Sequence, residues 1–262
     1  MDLGLKDKVV LITGGSKGIG LACASAFLAE GARVALASRS AVNLREAQAA
    51  LRSEGHEVFT VEADLTASGA ATRMVEAVGA ALGAPSVLVN SAGAARRTPI
   101  AELTEADWRA GMDAKYFPYV NAMTACLPVM VQAGGGAIVN VIGMGGKQAT
   151  PTHLPGGAAN AALMLVNAGI ANGYASKGIR VNAVSPGPTL TARLKQGIAA
   201  EARHLGVSED EAARQSTARM ALGRHAAPEE IANVVVFLSS DKASYVNGIT
   251  MSLDGSTLPT IL

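Results

Sequence analysis

The chain has 262 residues, 49% of them hydrophobic, and its 22 lysines and arginines almost balance its 21 aspartates and glutamates. A net charge of +1, scattered basic residues and only 3% aromatic residues argue against partners such as nucleic acid or an anionic membrane. The charged N-terminus shows no signal-peptide pattern, and Gly, Asn or charge interrupts each apolar run, so we expect a cytoplasmic protein without a membrane span.

Short apolar runs alternate along the chain with segments of helical periodicity. The predicted strands cover residues 8–14, 32–38, 57–64, 86–93, 135–143, 179–187 and 248–256. The predicted helices between and after them cover residues 18–31, 41–55, 67–82, 105–132, 157–176 and 228–240, with a helical excursion over about 191–221. This alternation predicts an α/β fold: a single doubly wound, Rossmann-type domain over residues 1–262, with a seven-stranded parallel sheet and helices on both faces.

A glycine-rich turn, "TGGSKGIG" over residues 13–20, follows the first strand and opens the first helix. Gly14 permits the tight turn, Gly18 removes a side chain where a pyrophosphate approaches the backbone, and Gly20 lets the helix pack closely on the sheet. The free N–H groups and the positive end of the helix then attract the anion. Alone, the turn is also compatible with an ordinary strand-to-helix loop.

Four further segments accompany this turn in order: "ADL" (63–65), "NSAG" (90–93), "VNAVSPGPTLT" (181–191) and the stretch from "GRHAAPEE" to "SLDGS" (223–256). Together they resemble the short-chain dehydrogenase/reductase family over essentially the whole chain. The resemblance implies a dinucleotide site at the carboxyl ends of the strands. The residues expected to bind the cofactor are Gly14, Ser16, Lys17, Gly18, Ile19, Gly20, Ser38, Arg39, Asp64, Leu65, Asn90, Ala92, Gly93, Pro186, Gly187 and Thr189.

The end of the second strand predicts which dinucleotide binds. An acidic residue there would bond an NAD ribose and repel a 2′-phosphate, but this chain has Ser38 followed by Arg39. Serine can donate to a phosphate, and a guanidinium binds one in a planar, bidentate manner. Lys17 adds a second cation, although a solvated loop lysine is the commoner case. We therefore expect NADP(H) as the cofactor.

The resemblance also implies four catalytic residues: an Asn, a Ser, and a Tyr and Lys four residues apart. Aligned by the family's spacing, their positions carry Lys115, Gly143, Gly156 and Asn160. The hydride passes directly between nicotinamide and substrate, so no protein group carries it. The proton does need a carrier, and glycines at 143 and 156 supply none. Because general acid–base catalysis contributes about 10²–10⁴-fold, ordinary carbonyl reduction should be largely silenced.

Two of the replacements are reciprocal, since Lys115 stands where the family has Asn and Asn160 where it has Lys. We interpret Lys115 as a relocated site charge that points toward Asn160; the alternative is a surface lysine. Asn160 can still hydrogen-bond a ribose hydroxyl. His153 could replace the missing proton carrier; the alternative is a solvent-facing loop histidine. The candidate catalytic residues are therefore Lys115, His153 and Asn160.

Three functions remain open for the sequence. The first is an NADP-dependent oxidoreductase with a rebuilt proton relay, the second an NADP-binding protein without turnover that senses or scaffolds, and the third a non-redox isomerase or lyase. A lid-like helical excursion over about 189–221, rich in Ala, suggests a small, largely apolar substrate. No cluster has metal-ligand spacing, so no metal is expected. The resemblance implies a homo-oligomer, either a homotetramer or a homodimer.

Overall fold

The computed structural model describes residues 1–93, 95–218 and 220–259. Seven strands form one parallel sheet in the order β3-β2-β1-β4-β5-β6-β7, which confirms the predicted fold class. The strands are β1 (Val9–Thr13), β2 (Arg33–Ser38), β3 (Phe59–Glu62), β4 (Val87–Asn90), β5 (Gly136–Val141), β6 (Ile179–Pro186) and β7 (Thr250–Leu253). The helices are α1 (Gly18–Ala29), α2 (Ala41–Ser53), α3 (Ala70–Leu82), α4 (Glu105–Gln132), α5 (Leu154–Tyr174), α6 (Ala192–Leu205), α7 (Glu209–Ala218) and α8 (Pro228–Ser239).

The sheet has a hydrophobic core on each face because successive strand residues point to opposite sides. On β1, Val10 and Ile12 pack in the cluster that contains residues of α1, α2 and α8. Val9 and Leu11 pack in the other cluster, with residues of α3, α4 and α5. Both faces are therefore covered, which explains why the strands read as continuous apolar runs.

Helix α5 starts three residues earlier than the predicted range of 157–176, at Leu154. Gly156 and Gly157 suggest a loop by composition, but Pro155 lies at the start of the helix, where its fixed φ fits and its missing N–H costs nothing. The earlier start places Gly156 in the first turn and His153 at the N-cap position. The first turn of α5 therefore sets the positions of His153 and Gly156 relative to each other.

One helix is longer and more apolar than the sequence analysis expected of any segment. By length and composition alone, the helical stretch Leu154–Lys177 could cross a bilayer. In this structure it packs against α4 and β6 and buries the polar side chains of Asn160 and Asn167 against the protein. These contacts are those of a core helix.

A buried chain of amide side chains links the central strands beneath their carboxyl ends. Thr13 Oγ1 donates to Asn90 Oδ1 (3.0 Å), and Asn90 Nδ2 donates to Asn140 Oδ1 (2.9 Å). Asn140 Nδ2 donates to Asn167 Oδ1 (3.0 Å), whose own Nδ2 donates to the Ile249 carbonyl (3.2 Å). This amide ladder satisfies groups that would be costly to bury unpaired.

The crevice for a ligand follows from the strand order. The chain passes from β1 to β2 on one side of β1 and returns to form β4 on its other side. In open α/β sheets, the loops that follow such a pair of strands diverge and leave a cleft at the carboxyl edge. The glycine-rich turn after β1 and the segment after Asn90 therefore form its two sides.

Candidate active site

A cavity of about 1350 Å³ lies at this carboxyl edge, bounded by the glycine-rich turn, the loops after β4, β5 and β6, and helices α6 and α7. Sites for single small molecules usually occupy about 300–1,000 Å³, so this cavity has room for a dinucleotide's reactive end and a second ligand. The predicted site residues that line it are Lys17, Gly18, Ile19, Lys115, His153, Asn160, Pro186, Gly187 and Thr189, together with Gly143 and Gly156.

The glycine-rich turn has the geometry of an anion cradle. Gly14 has φ +67° and its N–H donates to the Ala37 carbonyl (2.8 Å). A Cβ on Gly14 would lie 2.7 Å from the Ala92 nitrogen, and a Cβ on Gly20 would overlap the Gly14 carbonyl oxygen. Helix α1 begins at Gly18 without a side-chain cap from Lys17, so its first N–H groups are open to a phosphate.

The end of β2 provides polar groups without a carboxylate. Ser16 is buried and its hydroxyl donates to Ser38 Oγ (3.1 Å). Arg39 is exposed directly after the strand. Asp64, also exposed, accepts hydrogen bonds from the Thr66 hydroxyl and N–H, which lower the pKa of its carboxyl, with a smaller contribution from the Arg39 charge. The pair Ser38 and Arg39 therefore offers hydroxyl and guanidinium donors at one corner of the cleft.

Several predicted cofactor residues shape the floor of the site rather than presenting side chains to it. The Asn90 side chain is fully buried in the amide ladder. Leu65 is buried, and its carbonyl accepts from Asn121 Nδ2 (2.7 Å). Gly93 has φ +87°, and a Cβ there would overlap the Ala114 carbonyl oxygen, so glycine lets this loop lie directly on α4. The segment after β6 is fixed by Gly187, whose N–H donates to the Leu253 carbonyl (3.0 Å).

His153 occupies the space beside Gly156 where a side chain at that position would lie. A Cβ on Gly156 would be 2.6 Å from His153 Nε2 and 2.9 Å from Ala95 Cβ. The Nδ1 atom of His153 is buried and has no hydrogen-bond partner within the described residues. Burial lowers the pKa of His153 to about 4, and the charges of Arg97, Arg193 and Lys115 contribute. An imidazole therefore stands in the cavity in its neutral form at neutral pH.

Lys115 is buried within the protein rather than on its surface, and its ammonium position is fixed by two acceptors. Its Nζ lies 2.7 Å from the Tyr119 hydroxyl and 3.1 Å from the Val141 carbonyl oxygen. The Tyr119 hydroxyl donates to the same carbonyl (2.6 Å). Burial lowers the pKa of Lys115 well below its ordinary value, and the nearby Arg193 charge adds to this effect. Burial thus disfavours the charged form of the Lys115 amine.

Lys115 and Asn160 both line the cavity. The described hydrogen bonds of the Lys115 amine go to the Tyr119 hydroxyl and the Val141 carbonyl. The side chain of Asn160 is 3% exposed, and its Oδ1 atom has no described partner. Its Nδ2 atom would lie 3.5 Å from a Cβ on Gly143. An unpaired buried acceptor is therefore left beside the cavity, ready for a hydroxyl donor.

Sequence reasoning missed three residues of this site. Tyr119 follows Lys115 by four residues, one helical turn, and this spacing could have indicated the pair. Arg97 and Arg193 also line the cavity, and Arg193 Nη2 donates to the Gly93 carbonyl (2.6 Å) across 100 positions of sequence. No local pattern predicts that contact. Within the described ranges, no group of three or more His, Cys, Asp or Glu residues could hold a metal ion.

Comparison with known proteins identifies relatives over nearly the whole chain. A family model described as Enoyl-(Acyl carrier protein) reductase matches residues 14–256. The chain is similar to 2-(S)-hydroxypropyl-CoM dehydrogenase 3 of Xanthobacter autotrophicus, with 35% identity over 259 residues and 96% of each chain covered.

Solved structures show the same likeness in three dimensions. L-Sorbose reductase from Gluconobacter frateurii, complexed with NADPH and L-sorbose, is 31% identical with a TM-score of 0.91 and 100% of both chains covered. A variant of actinorhodin polyketide ketoreductase with NADPH is 30% identical with a TM-score of 0.92, covering 95% of this chain and 97% of that one. Both comparisons cover at least 95% of this chain.

Proposed function

Since this chain belongs to the short-chain dehydrogenase/reductase family, we propose that it is an oxidoreductase that moves a hydride between NADP(H) and a small carbonyl or alcohol substrate, using His153 as the proton carrier. The observation that carries this proposal is the His153 imidazole, which lines the cavity beside Gly156 and whose buried Nδ1 atom has no hydrogen-bond partner within the described residues. Residues 1–262 would form one cofactor-binding domain, with α6 and α7 as the lid-like excursion over the site.

The residues present fit an NADP(H) molecule. The open N–H groups at the start of α1 and the cradle at Gly14 suit a pyrophosphate. Ser38, Arg39 and Lys17 suit a 2′-phosphate, and the unpaired Oδ1 atom of Asn160 suits a ribose hydroxyl. The two similar structures that contain NADPH support the same choice. When bound, the cofactor supplies or accepts the hydride at its nicotinamide ring.

Proton movement falls to this chain's own residues because Lys115, Gly143, Gly156 and Asn160 stand where the family's catalytic side chains are expected. In alcohol oxidation, the neutral imidazole of His153 accepts the proton of the substrate hydroxyl. In carbonyl reduction, the imidazole must first take up a proton from solvent, which its lowered pKa makes unfavourable at neutral pH, and then donates it to the carbonyl oxygen. Lys115 positions the end of β5 through its hydrogen bond to the Val141 carbonyl and lines the cavity together with His153.

Cofactor choice gives a direct test. We expect NADPH to bind at least tenfold more tightly than NADH, and Arg39→Ala to remove most of this preference, because a charged hydrogen bond to the 2′-phosphate is lost. Fluorescence titration with both cofactors measures the effect. Arg33→Ala is the matched control, since Arg33 is exposed at the opposite end of the same strand. Equal binding of the two cofactors, or the same loss in both variants, would contradict the assignment.

A second candidate function is an NADP-binding protein without turnover. Neither Gly143 nor Gly156 can donate a proton, and the nitrogen of Lys115 is held by two oxygen atoms. This function would be indicated by tight NADPH binding together with no oxidation of NADPH by any of a panel of aldehydes, ketones and oxo acids, and no reduction of NADP⁺ by the matching alcohols.

We also propose a homo-oligomer, either a homotetramer or a homodimer. Helices α4 and α5 pack side by side, and their outer surfaces leave large apolar side chains exposed, among them Phe117 (43%) and Leu165 (77%). Burial of such side chains in a second copy would release apolar surface from water. Multi-angle light scattering at micromolar concentration should therefore show a mass of two or four chains. Leu165→Lys should shift the distribution toward the monomer, and a purely monomeric wild type would refute the proposal.

A further inference from the structure

The cavity concentrates positive charge although the chain as a whole is nearly neutral. Six of the 22 lysines and arginines line it, compared with one of the 21 aspartates and glutamates. The basic residues are Lys17, Arg96, Arg97, Arg193 and Arg203, together with Lys115, whose charged form burial disfavours, and the acid is Glu201. Like charges gathered in a deep cavity repel one another, and a bound anion relieves that repulsion. The cavity is therefore suited to ligands with more than one negative group.

Arg97 lies next to the proposed proton carrier. The Thr98 N–H donates to the Thr152 carbonyl (3.0 Å), which ties the loop after β4 to the residue before His153. The Arg97 side chain lies against α6 at Gly197, where a Cβ would be 3.2 Å from its Nε. Burial lowers the pKa of Arg97, the charge of Glu201 opposes this effect, and the charge of Arg193 adds to it. The guanidinium thus stays charged in a partly desolvated position.

Arg193 approaches the same region from the start of α6. Its one described hydrogen bond goes to the Gly93 carbonyl, which leaves further N–H donors of the guanidinium for a ligand. Arg193 keeps an exposed surface, and partial desolvation by the surrounding protein lowers its pKa. Its charge acts on both Arg97 and His153. The charges of the two guanidinium groups act on each other and on the imidazole. Together they can donate hydrogen bonds to an oxyanion that is held beside the reacting carbon.

The N-termini of two helices add to the positive electrostatic potential of the cavity. Helices α5 and α6 begin at the cavity, and their N-cap residues, His153 and Thr191, make no side-chain capping bond. Their first N–H groups and positive helix ends therefore face the same space as the two arginines. The cofactor's phosphates have other partners, since the start of α1 and Lys17 lie at the glycine-rich turn and Arg39 at the end of β2.

We infer that the substrate carries an oxyanion, such as a carboxylate or a phosphate, in addition to its reacting carbonyl or hydroxyl, and that Arg97 and Arg193 bind this oxyanion beside His153. The inference rests on the proposed function and names the substrate class of that site. The Ala-rich composition of the lid-like excursion over about 189–221 suggested a largely apolar substrate, and the present inference replaces that expectation. The two guanidinium groups carry more positive charge than a single carboxylate can neutralise. They therefore strongly favour an anionic ligand over a neutral one.

The test compares an anionic and a neutral probe of similar shape. Acetoacetate and pentane-2,4-dione are titrated calorimetrically into the protein saturated with NADP⁺. We expect acetoacetate to bind at least tenfold more tightly. Arg97→Gln and Arg193→Gln should each weaken acetoacetate binding about tenfold, because a charge-assisted bond is lost, while dione binding changes less than twofold. Arg45→Gln, exposed on α2 and outside the cavity, is the control.

Sulfate serves as a third probe because it is small enough to enter whatever the length of the true substrate. Sulfate binding to the wild type that is lost in the double variant Arg97→Gln/Arg193→Gln supports the inference. Equal affinity for acetoacetate and the dione, or no binding of either anion, overturns it. Failure of NADP⁺ to bind would contradict the proposed function instead, and sulfate titration of the same protein without cofactor would still decide whether the arginines hold an oxyanion.

Discussion

Replacement of His153 by asparagine is expected to lower kcat for NADP(H)-dependent turnover by about 10²–10⁴-fold, the usual contribution of a general acid or base. Asparagine keeps polarity but cannot accept a proton at neutral pH. NADPH affinity should stay within about threefold, because the imidazole is not among the groups that suit the cofactor's phosphates. Steady-state kinetics and fluorescence titration separate the two effects.

The pH profile provides a readout that a merely structural role would not change. In the wild type, the rate of alcohol oxidation should fall on the acidic side as His153 becomes protonated, and this limb should disappear in His153→Asn. His204→Asn, exposed on α6, should behave as the wild type. Unchanged turnover in His153→Asn would remove the histidine from the mechanism and favour a cofactor-binding protein without catalysis.

Replacement of Lys115 by methionine is expected to stabilise the protein at neutral pH by about 1–4 kcal/mol while reducing turnover. The buried amine is costly because burial disfavours its charged form. Methionine fills a similar volume, and the Tyr119 hydroxyl still donates to the Val141 carbonyl, so no polar group is left unpaired. Urea unfolding measures the gain, with Lys195→Met, exposed on α6, as the control.

The pH dependence of the free energy of unfolding distinguishes the loss of a buried amine from a change in packing alone. The folded pKa of Lys115 is lowered, so the unfolded chain binds the extra proton at pH values between the folded and unfolded pKa. The free energy of unfolding of the wild type should therefore rise with pH in that window, by up to about 1.4 kcal/mol per pH unit. Lys115→Met should lack this slope. A destabilised variant, or an identical slope, would show that the ammonium is charged in the folded protein.

Local patterns predicted the elements well wherever capping and periodicity agreed. The range of α4 matches the predicted residues 105–132, and its start is fixed by Thr104 and Asp107, whose side chains bond each other's backbone N–H groups. The start of α5 was missed because Pro155, a residue that favours the first turn of a helix, was not taken as its beginning. The complementarity of His153 and Gly156 is local too, since the missing side chain leaves room for a residue three positions earlier.

The rest of the site depends on contacts that no short window contains. Lys115 was predicted to point into the site near Asn160, and its described hydrogen bonds go to the Tyr119 hydroxyl and to the Val141 carbonyl, 26 positions away. The sequence identifies Lys115 as a candidate site residue. Its hydrogen-bond acceptor, the Val141 carbonyl, depends on where the end of β5 lies in the folded chain. The arginines of the cavity come from the loop after β4 and from α6, and only the folded chain brings them together.

The amide ladder affects how the protein unfolds. Its links run from β1 through β4 and β5 to α5 and the residue before β7, so they cross the boundary between the two halves of the doubly wound sheet. If one half opened alone, at least one buried amide would lose its partner before water could replace it, and that penalty opposes partial unfolding. The two halves are thereby coupled into one cooperative unit, whose ladder amides should exchange their hydrogens only when the whole sheet unfolds.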